Sequence, residues 1–227
     1  MESGSNREDI ERIIFCVFDA EDERRYNSLA PHFFPRSGDL PASAAGALVS
    51  GATPCGGTEE PIAWSTLPES HLATDVDASL ISAAANSRIS LYGGKVTSLD
   101  CSVLVYTTNK SFNDGSAISQ YNATHADTDY AQERKQKLTK PGVFGDIRCT
   151  SGGALTCKYL YHVAGQEYTA SQTRCRSKLC DVYTKCLDQA ATRGDVKSIC
   201  FLPLLVDLFN FPPAIACEVA VTSVRKW

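Results

Sequence analysis

Short apolar runs separated by amphipathic helical stretches constrain this chain most. Asp9-Ile-Glu-Arg-Ile-Ile-Phe-Cys-Val-Phe18, Arg88–Tyr92, Ser102–Tyr106, Leu155–Val163 and Ser198–Leu205 have strand lengths and read as buried strands, the fourth with a mixed pattern. Between them, Ala20–Leu29 reads as a helix with Asp19 as its N-cap and acidic residues in its first turn, closed by Pro31 and Pro35. A second helix is expected at 128–137, within an otherwise polar and irregular stretch from 113 to 140. Ser177–Arg193 carries Leu179, Val182, Leu187 and Ala190 close to helical spacing and ends at Gly194. Ala214–Trp227 follows, with Pro213 near its first turn. Strands alternating with helices predict an α/β fold, with a mainly parallel sheet covered on both faces.

Ligands on such sheets bind beyond the carboxyl ends of the strands. The loops 107–120, 164–175 and 206–212, and the segment from Phe18 onward, therefore form the expected rim. Residues 37–58 are rich in Ala, Gly, Ser and Pro, which marks a linker, and polar sequence continues to Ser87. The chain thus divides into 1–36, a flexible linker at 37–87 and a main body at 88–227. Its 227 residues suffice for one domain of roughly 150–200 residues plus that segment.

The formal net charge of -4 argues against a surface dedicated to nucleic acid, which needs clustered Lys and Arg. Ten cysteines raise the question of disulfides. Cys101, Cys157, Cys186, Cys200 and Cys217 sit inside apolar runs, where Cys behaves as a small buried hydrophobe. With no Cys-x-x-Cys pair, neither a zinc site nor another cofactor is expected. The longest apolar runs, such as Phe201–Val206, are too short for a membrane span, so a cytoplasmic or other reducing intracellular location is the expectation.

Gly145–Gly165, reading GDIRCTSGGALTCKYLYHVAG, resembles the macro-domain segment that begins Gly-Glu-Ala and ends His-Thr-Val-Gly. Gly145, Thr150, Gly152, Leu155, Lys158, Tyr159, His162 and Gly165 fall in register without a gap. Gly94-Lys-Val-Thr-Ser-Leu99 and Val103-Leu-Val-Tyr-Thr-Thr-Asn109 resemble the family's Gly-Asp-Ile-Thr and Asn-Ala-Ala-Asn segments. Phe201–Pro212 resembles the strand and phosphate loop ending Gly-Ile-Phe-Gly-Phe-Pro. The resemblance implies a three-layer α/β/α macro-domain fold with a mixed, mostly parallel central sheet. Residues 1–36 resemble the end of the same family, and Tyr26–Ser37 is especially like the ganglioside-induced differentiation-associated protein 2 family, which joins a macro domain to a lipid-binding CRAL-TRIO domain. Family C-terminal elements therefore come first, which reads as a circular permutation with 37–87 fusing the natural ends. A slice across two tandem domains, or a gene-model artefact, is the competing account. The permuted reading requires the first strand to pair in the same sheet as Ser198–Leu205.

What the resemblance implies for ligand binding centres on Gly94, Lys95, Val96, Asn109, Asp207, Leu208, Phe209, Asn210 and Phe18. Lys95 stands where the family has an Asp that accepts from the adenine amino group, which an ammonium cannot do, or, the favoured reading, is simply a solvated loop residue. Asp207 and Asn210 stand at the two phosphate-loop glycines. Asp207 would repel a diphosphate, while Asn210 tolerates left-handed geometry. Lys110-Ser-Phe-Asn-Asp-Gly-Ser116 replaces the family's Gly-rich loop, with Gly115 its one glycine. Asn109 matches the residue that orients the distal ribose, or is a turn residue after a strand. Phe18 matches the aromatic that stacks on adenine, or is a core Phe. His162 reads as a satisfied interior histidine. The expected activity is binding of ADP-ribose or a related nucleotide, with RNA left open, no membrane, weakened affinity and no strong catalysis. A degenerate scaffold for protein contacts and a weak ADP-ribosyl hydrolase are the alternatives.

Overall fold

The computed structural model describes residues 9–34, 62–63, 86, 88–113, 116–168 and 172–227. In chain order its strands are β1 (Arg12–Cys16), β2 (Ile62–Ala63), β3 (Ile89–Tyr92), β4 (Val103–Thr108), β5 (Ile147–Ser151), β6 (Tyr159–Ala164) and β7 (Ser198–Phe201). The helices are α1 (Ala20–Phe33), α2 (Ala117–His125), α3 (Thr128–Lys137), α4 (Gln172–Ala191), the one-turn α5 (Val206–Phe209) and α6 (Pro213–Lys226).

The strands form one sheet in the order β2-β3-β1-β7-β4-β6-β5. The four central pairings are parallel, and β2 and β5 run antiparallel at the two edges. β1 lies between β3 and β7, pairing Ile13 with Ile89 on one side and Arg12 with Ser198 on the other. The sheet pairing required by the permuted order is present. Of the 37–87 span, Ile62–Ala63 adds the β2 edge and Asn86 is helical. The rest of that span, residues 1–8 and Gly115 lie outside the described residues.

Alternation along the strands explains the layers. Ile13 and Phe15 of β1 enter one core with Val103, Val105, Ile199 and Phe201, beneath α1, α4 and α6. Ile14 and Cys16 enter the opposite core with Leu104, Leu160, Cys200 and, from α2, Ile118. Because both faces are covered, the central strands are apolar at consecutive positions. Helix α6 packs against both α1 and α4, and the Trp227 indole N–H donates to Asp188 (2.8 Å) at its end.

Three expectations need correction. Helix α1 runs past Pro31 to Phe33, its last turn closed by Phe34 N–H donating to the Ala30 carbonyl (2.8 Å). A proline removes one helical hydrogen bond, but Ala30 and Phe34 are buried against the sheet, and that packing carries the extra turn. Helix α2 and strand β5 were not expected; α2 is polar on all but a narrow side, and β5 is an edge strand with one buried residue, Thr150. The 206–212 segment is not all loop, since Val206–Phe209 winds into α5. By contrast, Asp19 caps α1 as expected, its Oδ1 accepting from Asp22 N–H at 2.7 Å.

Nine cysteines among the described residues are free thiols, seven of them buried. Burial pushes the Cys157 thiol up to about 12 and Cys101 and Cys200 upward as well, so these thiols stay protonated and serve as core. Among the described residues, no helix is long and apolar enough to cross a membrane.

Candidate functional site

A cavity of about 290 Å³ opens beyond the carboxyl ends of β1, β4 and β7. Phe18 follows β1, Tyr106 and Thr107 end β4, Ser116–Ile118 begin α2, and Leu202, Pro203, Asp207 and Leu208 follow β7. Phe18 and Leu208 are 40% and 48% exposed, although large apolar side chains normally avoid water. Two such side chains give this concavity an exposed apolar wall. Its volume sits at the floor of the ~300–1,000 Å³ range of small-molecule pockets.

The floor is built around Thr107 and Leu205. Leu205 adopts a left-handed conformation (φ 67°), which a non-glycine residue takes only when its surroundings hold it there. Here its side chain is buried and its N–H donates to the buried Thr107 Oγ1 at 2.9 Å. At the other end of α5, Asn210 is also left-handed (φ 54°), as its amide side chain tolerates. Phe211 N–H returns to the Leu205 carbonyl at 3.1 Å and closes the segment. Phe209 turns away from the cavity and lies on Gly165, where a Cβ would stand 2.2 Å from its ring. Gly165 is therefore the residue that lets this ring approach the β6 backbone.

Of the sequence-selected positions, Phe18, Asp207 and Leu208 meet in the cavity, while Phe209 and Asn210 do not line it. Gly94, Lys95 and Val96 lie on the turn after β3 and do not line it. Lys95 is exposed, and its carbonyl accepts from the Tyr92 hydroxyl at 3.2 Å. Asn109 does not line the cavity either. Its Oδ1 accepts from the N–H groups of Ser111 (3.0 Å) and Asn113 (3.2 Å), the geometry of a loop-closing residue. Thr107, Ser116 and Leu202 are lining residues that the family motifs do not single out. The left-handed Leu205 leaves no sequence signal at all.

The electrostatics around Phe18 are acidic. Burial, and then the neighbouring Asp19 carboxylate, hold the Asp207 carboxyl above its ordinary value. Asp22 is raised for the same two reasons, burial first and Asp19 second, against the lowering influence of Arg25.

Behind the cavity wall runs a buried polar chain. Thr150 has one hydroxyl proton, which goes to the Ser151 carbonyl (2.9 Å). Toward His162 Nε2, also at 2.9 Å, it must then accept, which places the imidazole proton on Nε2. His162 Nδ1 consequently accepts from the Tyr106 hydroxyl at 2.7 Å, and Ser119 Oγ lies 3.4 Å from that hydroxyl. Burial, reinforced by Arg134, lowers the His162 pKa to about 3, so the ring is neutral and structural. The sign of its pH effect follows. Below its ordinary 6.5 the unfolded chain takes up a proton that the folded chain refuses until about 3, so stability falls as pH drops through that window. Urea unfolding at pH 7 and pH 5 is expected to show this as about 2 kcal/mol of extra loss in wild type relative to His162→Gln. Equal losses in the two proteins would refute the assignment.

The macro domain family model matches residues 105–220, from within β4 to within α6. A macro domain-containing protein of Listeria monocytogenes is 29% identical over 141 residues, covering 61% of this chain and 80% of that protein. Ganglioside-induced differentiation-associated protein 2 of Xenopus tropicalis is 28% identical over 143 residues, covering 63% of this chain but 28% of that protein. A protein-ADP-ribose hydrolase of Treponema medium is 38% identical over 84 residues, covering 37% of this chain and 32% of that protein. Among solved structures, the macro domain of ganglioside-induced differentiation-associated protein 2 superposes with a TM-score of 0.54 at 26% identity, covering 63% of this chain and 70% of that one. The Trypanosoma brucei macrodomain in complex with ADP-ribose gives 0.53 at 24% identity, covering 63% of this chain and 58% of that one. A family match over half the chain, on a three-layer α/β/α fold with its cavity at the strand carboxyl ends, places this chain in the macro domain family.

Proposed function

We propose that the chain is a binding module for an ADP-ribose-like nucleotide, with its aromatic base at Phe18 and its affinity lowered by Asp207. The observation that carries this reading is the cavity beyond β4 and β7, walled by the exposed Phe18 and Leu208. ADP-ribose is the ligand of the Trypanosoma structure with which the fold superposes. Strong catalysis is not part of the proposal. Asn109 is committed to closing its own loop, and Asp207 brings negative charge where a diphosphate would need stabilisation. The permuted order of elements belongs to the same proposal, supported by the position of β1 beside β7.

Calorimetry with ADP-ribose tests the reading. Binding is expected, and Phe18→Ala is expected to weaken it about tenfold, because stacking on an aromatic ring contributes roughly 1–3 kcal/mol. No heat from folded protein at millimolar ligand would reject it and favour the second reading, a scaffold for protein contacts. The small volume of the cavity favours that second reading. A de-ADP-ribosylation assay is expected to show no turnover.

A further inference from the structure

A second cavity, of about 470 Å³, lies on the same rim but opens toward α4. Lys110 from the loop after β4, and Arg174 and Lys178 from the first turns of α4, line it together with Val143, Phe144, Gln166 and Cys175. Among the described residues, no carboxylate lines it. Arg174 and Lys178 stand at i and i+4, so they share one face of the helix and repel each other. Among the described residues, neither has an ion-pair partner, whereas Arg176 on the same helix is paired with Glu218. The Lys110 ammonium donates to Gln166 Oε1 at 3.0 Å, a neutral acceptor that fixes its position without cancelling its charge. The nearby Asp146 carboxylate accepts from Val143 N–H at 2.9 Å and does not line the cavity.

Three cations surround one concavity with no anion among its described lining residues, an arrangement suited to an oxyanion. The start of the 20-residue α4 adds the positive end of its dipole. The apolar wall points to a ligand as well. Val143 is 68% exposed, and together with Phe18 and Leu208 it completes the exposed large apolar side chains among the described residues. Each of the three lines one of these two cavities. We infer that the Lys110–Arg174–Lys178 cavity binds a phosphate group, at a site separate from the Phe18 cavity and independent of whether that cavity takes ADP-ribose. Point charges on flexible Lys stems and a bidentate Arg suit the three acceptor oxygens of a terminal phosphate.

Inorganic pyrophosphate and glycerol phosphate are the probes, titrated into the full chain and followed by amide chemical shifts. Saturable shifts are expected at residues 142–145, 165–168 and 174–178, with affinity falling as salt rises. Arg174→Gln with Lys178→Gln is expected to weaken binding by about tenfold or more, as loss of charge-assisted hydrogen bonds does. Arg176→Gln removes the same kind of charge one step away and is expected to leave the affinity within about twofold, since that cation is already paired. The stronger of the two probes tells an inorganic polyphosphate from an ester-borne phosphate. Shifts confined to 203–208, unchanged affinity in the double variant, or equal weakening by Arg176→Gln would each overturn the site. Failure of ADP-ribose to bind would leave this result standing, because the two cavities share no lining residue.

Discussion

Asp207→Asn is expected to tighten ADP-ribose binding about fivefold near neutral pH and to remove most of its pH dependence. The carboxylate lines the cavity at the start of α5, where a diphosphate would approach the segment between Leu205 and Asn210. Two like charges a few ångströms apart in a partly screened site repel by about 1–4 kcal/mol. Asp207 is substantially exposed, so the lower end applies. Asn has nearly the same shape and keeps α5 intact, so charge is the variable under test. In wild type, burial and Asp19 hold the carboxyl above its ordinary 3.8. Protonation removes the repulsion, so affinity for an anionic ligand rises as pH falls through that raised value. The Asn variant has nothing to protonate at 207 and is expected to be nearly flat. Calorimetry from pH 7.5 to pH 4.5 on both proteins reads the effect. Equal affinities at every pH would mean that the diphosphate lies elsewhere.

The largest expected loss of stability comes from Phe15→Ala, about 3–5 kcal/mol in denaturant unfolding. Phe15 is fully buried at the centre of the sheet, paired with Leu91 on one side and Phe201 on the other. Its ring lies 5.1 Å from that of Tyr26, which carries the contact into α1. Deleting the ring removes its transfer energy and leaves a void that strands held on both edges cannot close. A loss of that size consumes much of the stability of an ordinary domain. The experiment also asks what β1 is to this fold. A loss under 1 kcal/mol would mean that the sheet tolerates the absence of β1 packing, contrary to its central position.

Much of this fold is readable in the sequence because the central strands are buried on both faces. Runs such as Ile13-Ile-Phe-Cys16 and Val103-Leu-Val-Tyr106 need no tertiary knowledge to be recognised as strands, and Asp19 announces the start of α1. What escaped was structure defined by its partners. Ile147–Ser151 is a strand because β6 lies beside it, and only Thr150 of its five residues is buried. Helix α2 buries Ile118, Ser119 and Asn122, a pattern too polar to announce itself. The site was legible to a similar degree. Phe18 and Asp207 stand out from a family pattern, but family correspondence also selected Asn109, whose Oδ1 closes its own loop, and Lys95, which is exposed on the turn after β3 and does not line the cavity. The left-handed Leu205 depends on one buried hydrogen bond to Thr107, and no local sequence signal carries that information.

The central position of β1 also bears on how the protein reaches this state. Arg12 pairs with Ser198, so the sheet cannot close until segments at opposite ends of the described chain meet. Pairings of such long sequence separation must offset their loop-closure entropy before any contact rewards it, which slows folding. During synthesis β1 emerges well before β7, leaving the apolar run Ile13–Cys16 with its β7-facing edge unpaired. The interval between making β1 and making β7 is thus the period when this chain is most exposed to aggregation.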